Sequence, residues 1–246
     1  MLSYFITGTD TGVGKTLVSC ALLHRMRGLG YTVVGMKPVA AGCEELDEGW
    51  INEDVRTLRS ASSVGVESQL ANPYLFKAAV APHIAAREEG IRIELLVIER
   101  AFKQLGNMAD AVVVEGVGGF RVPLNEEQDT ADLAVLLNLP VILVVGMRLG
   151  CLNHTLLTQE AIEARGLHLA GWVANTIDPQ MPRFAENLAA LQERVACPLL
   201  GVIPHMPMPD PGRVALRLSG EDSGVMQSFV HGSQLSDSNR QSAEPA

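Results

Sequence analysis

Residues Gly8 to Thr16 read GTDTGVGKT, between the apolar run Tyr4-Phe5-Ile6 and the apolar pair Leu17-Val18. A short apolar run that breaks into glycines and then resumes at helical spacing is a strand, a tight loop and a helix in succession. The glycines Gly12 and Gly14, on either side of Val13, let backbone N–H groups approach an anion closely. The helix start adds partial positive charge, Lys15 can reach terminal phosphates, and Thr16 offers a hydroxyl to Mg²⁺. The stretch departs from a strict GxxxxGK[ST] pattern because Thr9 stands where the first glycine belongs and Gly8 lies one step early. The bland alternative is a glycine-rich turn with a solvated lysine; the strand before and the amphipathic helix after are the context that phosphate binding requires.

The same alternation runs along the chain. Apolar, β-branched runs at Tyr4–Thr7, Thr32–Met36, Ala111–Val114, Val141–Val145, Leu169–Ala174 and Leu199–Ile203 are continuous, as in strands covered on both faces. Helical patterns fall between them, at Lys15–Leu29, Glu53–Ala61, Val80–Glu89, Glu94–Leu105, Ala131–Leu137, Leu152–Ala164 and Arg183–Val195. Long connections between strands imply parallel pairing. The expected fold is therefore α/β, a P-loop NTPase-like three-layer sandwich with a mostly parallel central sheet and helices on both faces. Ligands of such a fold gather at the carboxyl ends of the strands. One domain is expected over residues 1–218. From about Ser219 the chain turns to Ser, Gly, Asp, Asn, Gln and Pro, a composition that predicts a disordered tail over 219–246.

Strand ends carry the remaining polar signals. Glu115 follows Ala111–Val114 and precedes Gly116, Val117 and Gly118; an acid there sits as a Walker B carboxylate does, with an ordinary strand-end Glu as the alternative. Lys37 lies at the mouth of the second strand, immediately before Pro38, and reads equally as a site lysine or a snorkelling one. Asp54 opens a helix after Asn52 and Glu53 and by itself reads as a complement to the helix dipole. Asn175 closes the run AGWVAN, where its amide can read a base edge. The following Thr176-Ile177-Asp178 lacks the lysine of a guanine reader, which favours adenine. Gly150 and Asn153 open the helix after Val145, an anion site by the same N–H logic; His154 reads as packing or a local hydrogen bond.

Composition narrows the partners. A net charge of −9 and the absence of any Lys/Arg cluster disfavour nucleic acid. The four cysteines, Cys20, Cys43, Cys151 and Cys197, show neither C-x-x-C nor zinc spacing and read as reduced thiols of a cytoplasmic protein. No apolar run approaches the roughly 18 residues that a membrane span needs, so no membrane association is expected.

The ordered set GTDTGVGKT, GMKPVAAG, NPYLF, APHIAAREEG, VVVEGVGGFRVPL, LPVILVVGMRLGCLNHTLLT, LAGWVAN and LLGVIP, spanning Tyr4 to Pro204, resembles the dethiobiotin synthetase family. RLGCLNHTLLT and GWVAN are its most specific segments. The resemblance implies a homodimer that converts 7,8-diaminopelargonate, CO₂ and MgATP to dethiobiotin, ADP and phosphate, by way of a carbamate and a carbamic-phosphoric anhydride. It implies that Thr11, Gly12, Val13, Gly14, Lys15 and Thr16 cradle phosphates and that Thr16, Asp54 and Glu115 surround Mg²⁺. Lys37, Lys15 and Thr11 would serve the chemistry, and Gly116, Val117 and Gly118 would line the site. Asn175, Thr176, Pro204, His205 and Met206 would border adenine; Gly150, Cys151, Leu152 and Asn153 would meet the substrate carboxylate. Ala41 stands where the family usually offers a serine to the substrate, so that hydrogen bond must be absent or replaced.

Two other classes compete. A dimeric ATP switch of the partitioning or nitrogenase-iron-protein kind shares the fold, but carries a second lysine near the loop's start, where this chain has Thr9-Asp10-Thr11. A cobyrinic-acid-type amidotransferase needs a glutamine-hydrolysing domain, and the segment after Pro204 is shorter than the roughly 50 residues of a small domain.

Overall fold

A computed structural model describes residues 1–46 and 49–218. The strands are β1 (Leu2–Gly8), β2 (Val33–Met36), β3 (Val39–Ala41), β4 (Glu44–Leu46), β5 (Gly49–Ile51), β6 (Tyr74–Phe76), β7 (Ala111–Glu115), β8 (Val141–Met147), β9 (Leu169–Thr176) and β10 (Leu199–Ile203). The helices are α1 (Lys15–Gly28), α2 (Glu53–Ala61), α3 (Ser68–Ala71), α4 (Pro82–Glu88), α5 (Leu95–Gly106), α6 (Thr130–Leu137), α7 (Cys151–Ala164), α8 (Phe184–Arg194) and α9 (Pro211–Ala215). The segment expected to be a disordered tail, 219–246, lies outside the described residues.

All six expected strands join one sheet in the order β10-β9-β8-β1-β7-β2, and each of its pairings is parallel. Alternation of side chains across the sheet makes two cores. Phe5, Val34, Val112, Val114, Leu143 and Val145 pack on one face, which α4 to α8 cover. Tyr4, Ile6, Val33, Val113, Ile142 and Val144 pack on the other, beneath α1, α2 and α9. Apolar residues at consecutive positions are thus what burial on both faces requires. Leu29, the last residue of the expected helix Lys15–Leu29, caps α1 and is half exposed, while Cys20, Ala21 and Leu23 are buried beside Val18, Leu22 and Met26.

Because every strand of this sheet runs the same way, Gly8, Met36, Glu115, Met147, Thr176 and Ile203 end along one edge. Neighbouring strands lie about 4.8 Å apart, so the residues that leave β2, β7 and β1 are brought within side-chain reach of one another. Short strands that lack a periodic signal, β3 paired with β6 and β4 paired with β5, add two small ribbons after Lys37.

Candidate active site

The loop between β1 and α1 is shaped by glycine. Gly14, the residue before α1, has φ 92°, and a Cβ on it would come within 2.2 Å of Asn175 Nδ2. That amide donates to the carbonyl of Val13 at 2.8 Å. Asn175, expected to read a base edge, braces the phosphate loop through that amide. No side chain caps the start of α1, so its first N–H groups are available to a ligand. Thr11 is exposed; its N–H donates to Asp10 Oδ1 at 2.7 Å, and Arg148 pairs with Oδ2 of the same carboxylate at 2.5 Å. The Thr11 N–H first, and then Arg148, hold the Asp10 carboxyl below its ordinary pKa against the opposing effect of burial. Lys15, 7% exposed, donates to the Asp10 carbonyl at 3.0 Å. Burial, reinforced by the charge of Lys37, pushes its pKa down to about 8.

Beside the loop lies a buried charged cluster. Lys37, 4% exposed, places Nζ 2.9 Å from Asp54 Oδ2 and 2.5 Å from Glu115 Oε1. Thr16 donates its single hydroxyl proton within the same cluster, its Oγ1 lying 2.7 Å from Asp54 Oδ1 and 2.9 Å from Glu115 Oε1. Burial is the largest influence on Lys37 and opposes its charge, but Glu115 and Asp54 together outweigh it and hold the pKa above its ordinary value. Asp54 is the mirror case: burial raises its pKa, and Lys37 with Thr16 carries it below the ordinary carboxylate range. Asp54 lies in the first turn of α2, as the dipole reading expects, and the same carboxylate also meets Thr16 and Lys37. α2 is capped by Asn52, whose side chain accepts from Val55 N.

The fit of a divalent cation rests on one orphaned atom. Glu115 is 1% exposed and its Oε2 has no hydrogen-bond partner among the described residues. A buried carboxylate oxygen without a donor is costly, and a hard cation held by oxygens of Glu115, Asp54 and Thr16 would satisfy it with the donor chemistry that Mg²⁺ prefers. Gly116 continues the wall, its carbonyl 3.4 Å from Lys37 Nζ, and partly exposed Val117 and Gly118 follow.

Asn175, Thr176, Pro204, His205 and Met206 come together with Gly12, Gly14 and Leu17 around a cavity of about 310 Å³. Further along the same edge, α7 opens at Gly150 with φ 95° and no side-chain cap. Cys151, expected among the substrate contacts, is turned into the core and its N–H donates to Arg148 O at 3.0 Å. Leu152 and exposed Asn153 remain available. His154 is exposed rather than packed. Ala41 ends β3 opposite Phe76, and its methyl group cannot donate a hydrogen bond. The Asp10–Arg148 pair, which ties the loop to the start of α7, links residues 138 apart and had no signal in the sequence.

A family model described as an AAA domain matches residues 3–211. The ATP-dependent dethiobiotin synthetase BioD of Aromatoleum aromaticum is 59% identical over 220 residues, covering 89% of this chain and 98% of that protein. The chain belongs to the ATP-dependent dethiobiotin synthetase family. Another dethiobiotin synthetase of that name, from Xylella fastidiosa, is 54% identical over 88% of this chain and 96% of its own length. Among solved structures, the septum site-determining protein MinD of Pyrococcus horikoshii, complexed with Mg-ADP, superposes with a TM-score of 0.53, covers 93% of each chain and is 18% identical. That likeness shows the P-loop fold alone; membership of the dethiobiotin synthetase family rests on the closer sequences.

Proposed function

We propose that this chain is an ATP-dependent dethiobiotin synthase, a ligase that forms C–N bonds in biotin biosynthesis. Its substrates are 7,8-diaminopelargonate, CO₂ and ATP. One amine of the diamine captures CO₂ as a carbamate, releasing a proton. A carbamate oxygen attacks the γ-phosphorus, ADP departs, and a carbamic-phosphoric anhydride results. The second amine attacks the carbamic carbon, the C–O bond to phosphate breaks, and the cyclic urea closes with release of phosphate and a proton. The observation that carries this reading is the buried Lys37, set beside the phosphate loop and 78 residues from the Glu115 it contacts. Two anions must meet for the phosphoryl step, and in water they repel. Lys37 and Lys15 supply fixed positive charge where the carbamate and the migrating phosphoryl group lie, with Thr11 at the mouth of the loop. Gly12 to Thr16 hold the phosphates through backbone N–H groups, so the chain needs no nucleophile of its own.

Thr16, Asp54 and Glu115 would hold Mg²⁺, which when bound offsets phosphate charge. Asn175, Thr176, Pro204, His205 and Met206 form the adenine end, which the cavity against Leu17 supports. Gly150, Leu152 and Asn153 take the substrate carboxylate at the start of α7. Cys151 contributes shape there through its buried side chain, and a water molecule or neighbour supplies the contact missing at Ala41. The working unit is a homodimer: Leu149 is 88% exposed directly before α7, and Leu157 on α7 and Val135 on α6 are also exposed, a set of apolar groups that a second copy would cover. A cytoplasmic location goes with four free cysteines, of which Cys20 and Cys197 have pKa values pushed up by burial to about 12. No helix among the described residues is long and apolar enough to cross a membrane.

Phosphate release tests the reading. It should require the diamine and bicarbonate together with MgATP; release that ignores both is the behaviour of an ATP switch and contradicts the proposal.

A further inference from the structure

Helix α2 has a face that the catalytic centre does not use. Leu58 and Ala61 enter the core with α1, and Asp54 points to Thr16 and Lys37. Asn52, Val55, Arg56 and Arg59 follow one another at helical spacing on the remaining face, and they line a cavity of about 480 Å³ beside Gly35 of the edge strand β2. Val64, Val66 and Leu75 supply an apolar wall. Trp50, 39% exposed, stands at the rim with Lys77 Nζ 4.6 Å from its ring centroid.

Size and charge together define an occupant. The volume lies within the roughly 300–1,000 Å³ of small-molecule sites. Arg56 and Arg59 are the charged residues of the lining, and among the described residues neither pairs with a carboxylate. Arg59 donates to the Ser68 hydroxyl at 3.3 Å, its one hydrogen bond among the described residues. In a chain of net charge −9, two guanidinium groups left without an acid above an apolar wall suit an amphiphilic anion. A planar carboxylate matches the guanidinium fork, and an aliphatic body covers the valines and leucine that an inorganic anion would leave wet.

We propose that this cavity is a second ligand site, for an aliphatic monocarboxylate whose chain lies on Val64, Val66 and Leu75 and whose head group meets Arg56 and Arg59. The ligand would sit one residue from Asp54 and against Asn72, whose Nδ2 donates to the Lys37 carbonyl at 2.6 Å. The site stands independently of the reaction assigned to the catalytic centre.

The test is a titration of the full chain with sodium octanoate, read by tryptophan fluorescence and by calorimetry, with octylamine and inorganic phosphate as separate arms. Trp172 is fully buried and gives a constant background, so the signal reports Trp50. The expected result is saturable octanoate binding with a Trp50 response, and neither with octylamine or phosphate. The double variant Arg56→Ala/Arg59→Ala should weaken binding at least about tenfold, and Val64→Phe, which fills the cavity from its apolar side, should do the same; circular dichroism verifies that each is folded. Equal binding of octylamine, saturation by phosphate alone, calorimetric binding that leaves Trp50 silent, or unchanged affinity in a folded variant overturns the proposal.

Discussion

Lys37 is the residue on which charge and chemistry converge. It pairs with both Glu115 and Asp54, and its charge is felt by Lys15 of the phosphate loop. Replacing it by methionine removes one partner of a buried pair, which typically costs about 3–5 kcal/mol because a carboxylate is left uncompensated. Lys37→Met should therefore melt well below the wild type in EDTA and recover much of the difference in Mg²⁺; thermal melts in the two buffers check this, and equal melting points in both would remove the shared-carboxylate account. Its turnover with MgATP should fall by about 10²–10³ or more, the scale for deleting a preorganised charge. Lys15 makes a pH prediction of opposite kind. Its pKa of about 8 lies below the ordinary 10.5, so from about pH 8 to 10.5 the unfolded chain holds a proton that the folded chain lacks, and its contribution to stability rises with pH across that window. A bound triphosphate favours the charged ammonium. Binding of an ATP analogue near pH 8.5 should therefore take up a proton that is hardly taken up at pH 7, measured by calorimetry in buffers of different ionisation enthalpy.

At the scale of elements, the loop from β1 to α1 is held from across the sheet. Gly14 needs both a left-handed backbone and an empty Cβ position, because Asn175 occupies that space to reach Val13. Gly14→Ala should cost about 1–2 kcal/mol for the backbone alone and displace the Asn175 amide, so affinity for a non-hydrolysable ATP analogue should drop at least about tenfold in calorimetry. An unchanged affinity would mean that the brace does not shape the loop. The glycine spacing, the lysine and the six buried strands were legible in sequence because each is a local pattern: continuous β-branched runs for strands, apolar positions on one helix face, glycines at a strand end. The cluster around Glu115 was half legible. Its strand end marked Glu115, whereas Asp54 sits 38 residues from Thr16 and acquires its role only through the approach of α2 to α1. The ribbons β3/β6 and β4/β5 were not legible, since three residues are too few to show a period.

For the molecule as a whole, the single-direction sheet does two things at once. It buries both faces and delivers every functional strand end to one edge. The same edge runs on to α7, where Leu149 and Leu157 are exposed and would be covered in the proposed dimer. Leu149→Glu should shift the protein from dimer to monomer in sedimentation velocity; a wild-type chain that sediments as a monomer at micromolar concentration would remove the dimer from the account. Sequence carried the parallel α/β architecture by repetition of strand and helix, and its P-loop class by the glycine loop after β1. It did not carry the Asp10–Arg148 link between the loop and α7, because a contact across 138 residues leaves no local trace.

The central claim is that positive charge at Lys15 and Lys37 brings a carbamate into contact with the γ-phosphate of ATP. If a carbamate oxygen forms the bond to phosphorus, that oxygen must leave with the phosphate when the ring closes. Turnover with ¹⁸O-labelled bicarbonate under rapid mixing, with the released phosphate analysed by mass spectrometry, should show one labelled oxygen per phosphate formed. Phosphate released during dethiobiotin synthesis without that label would contradict the account.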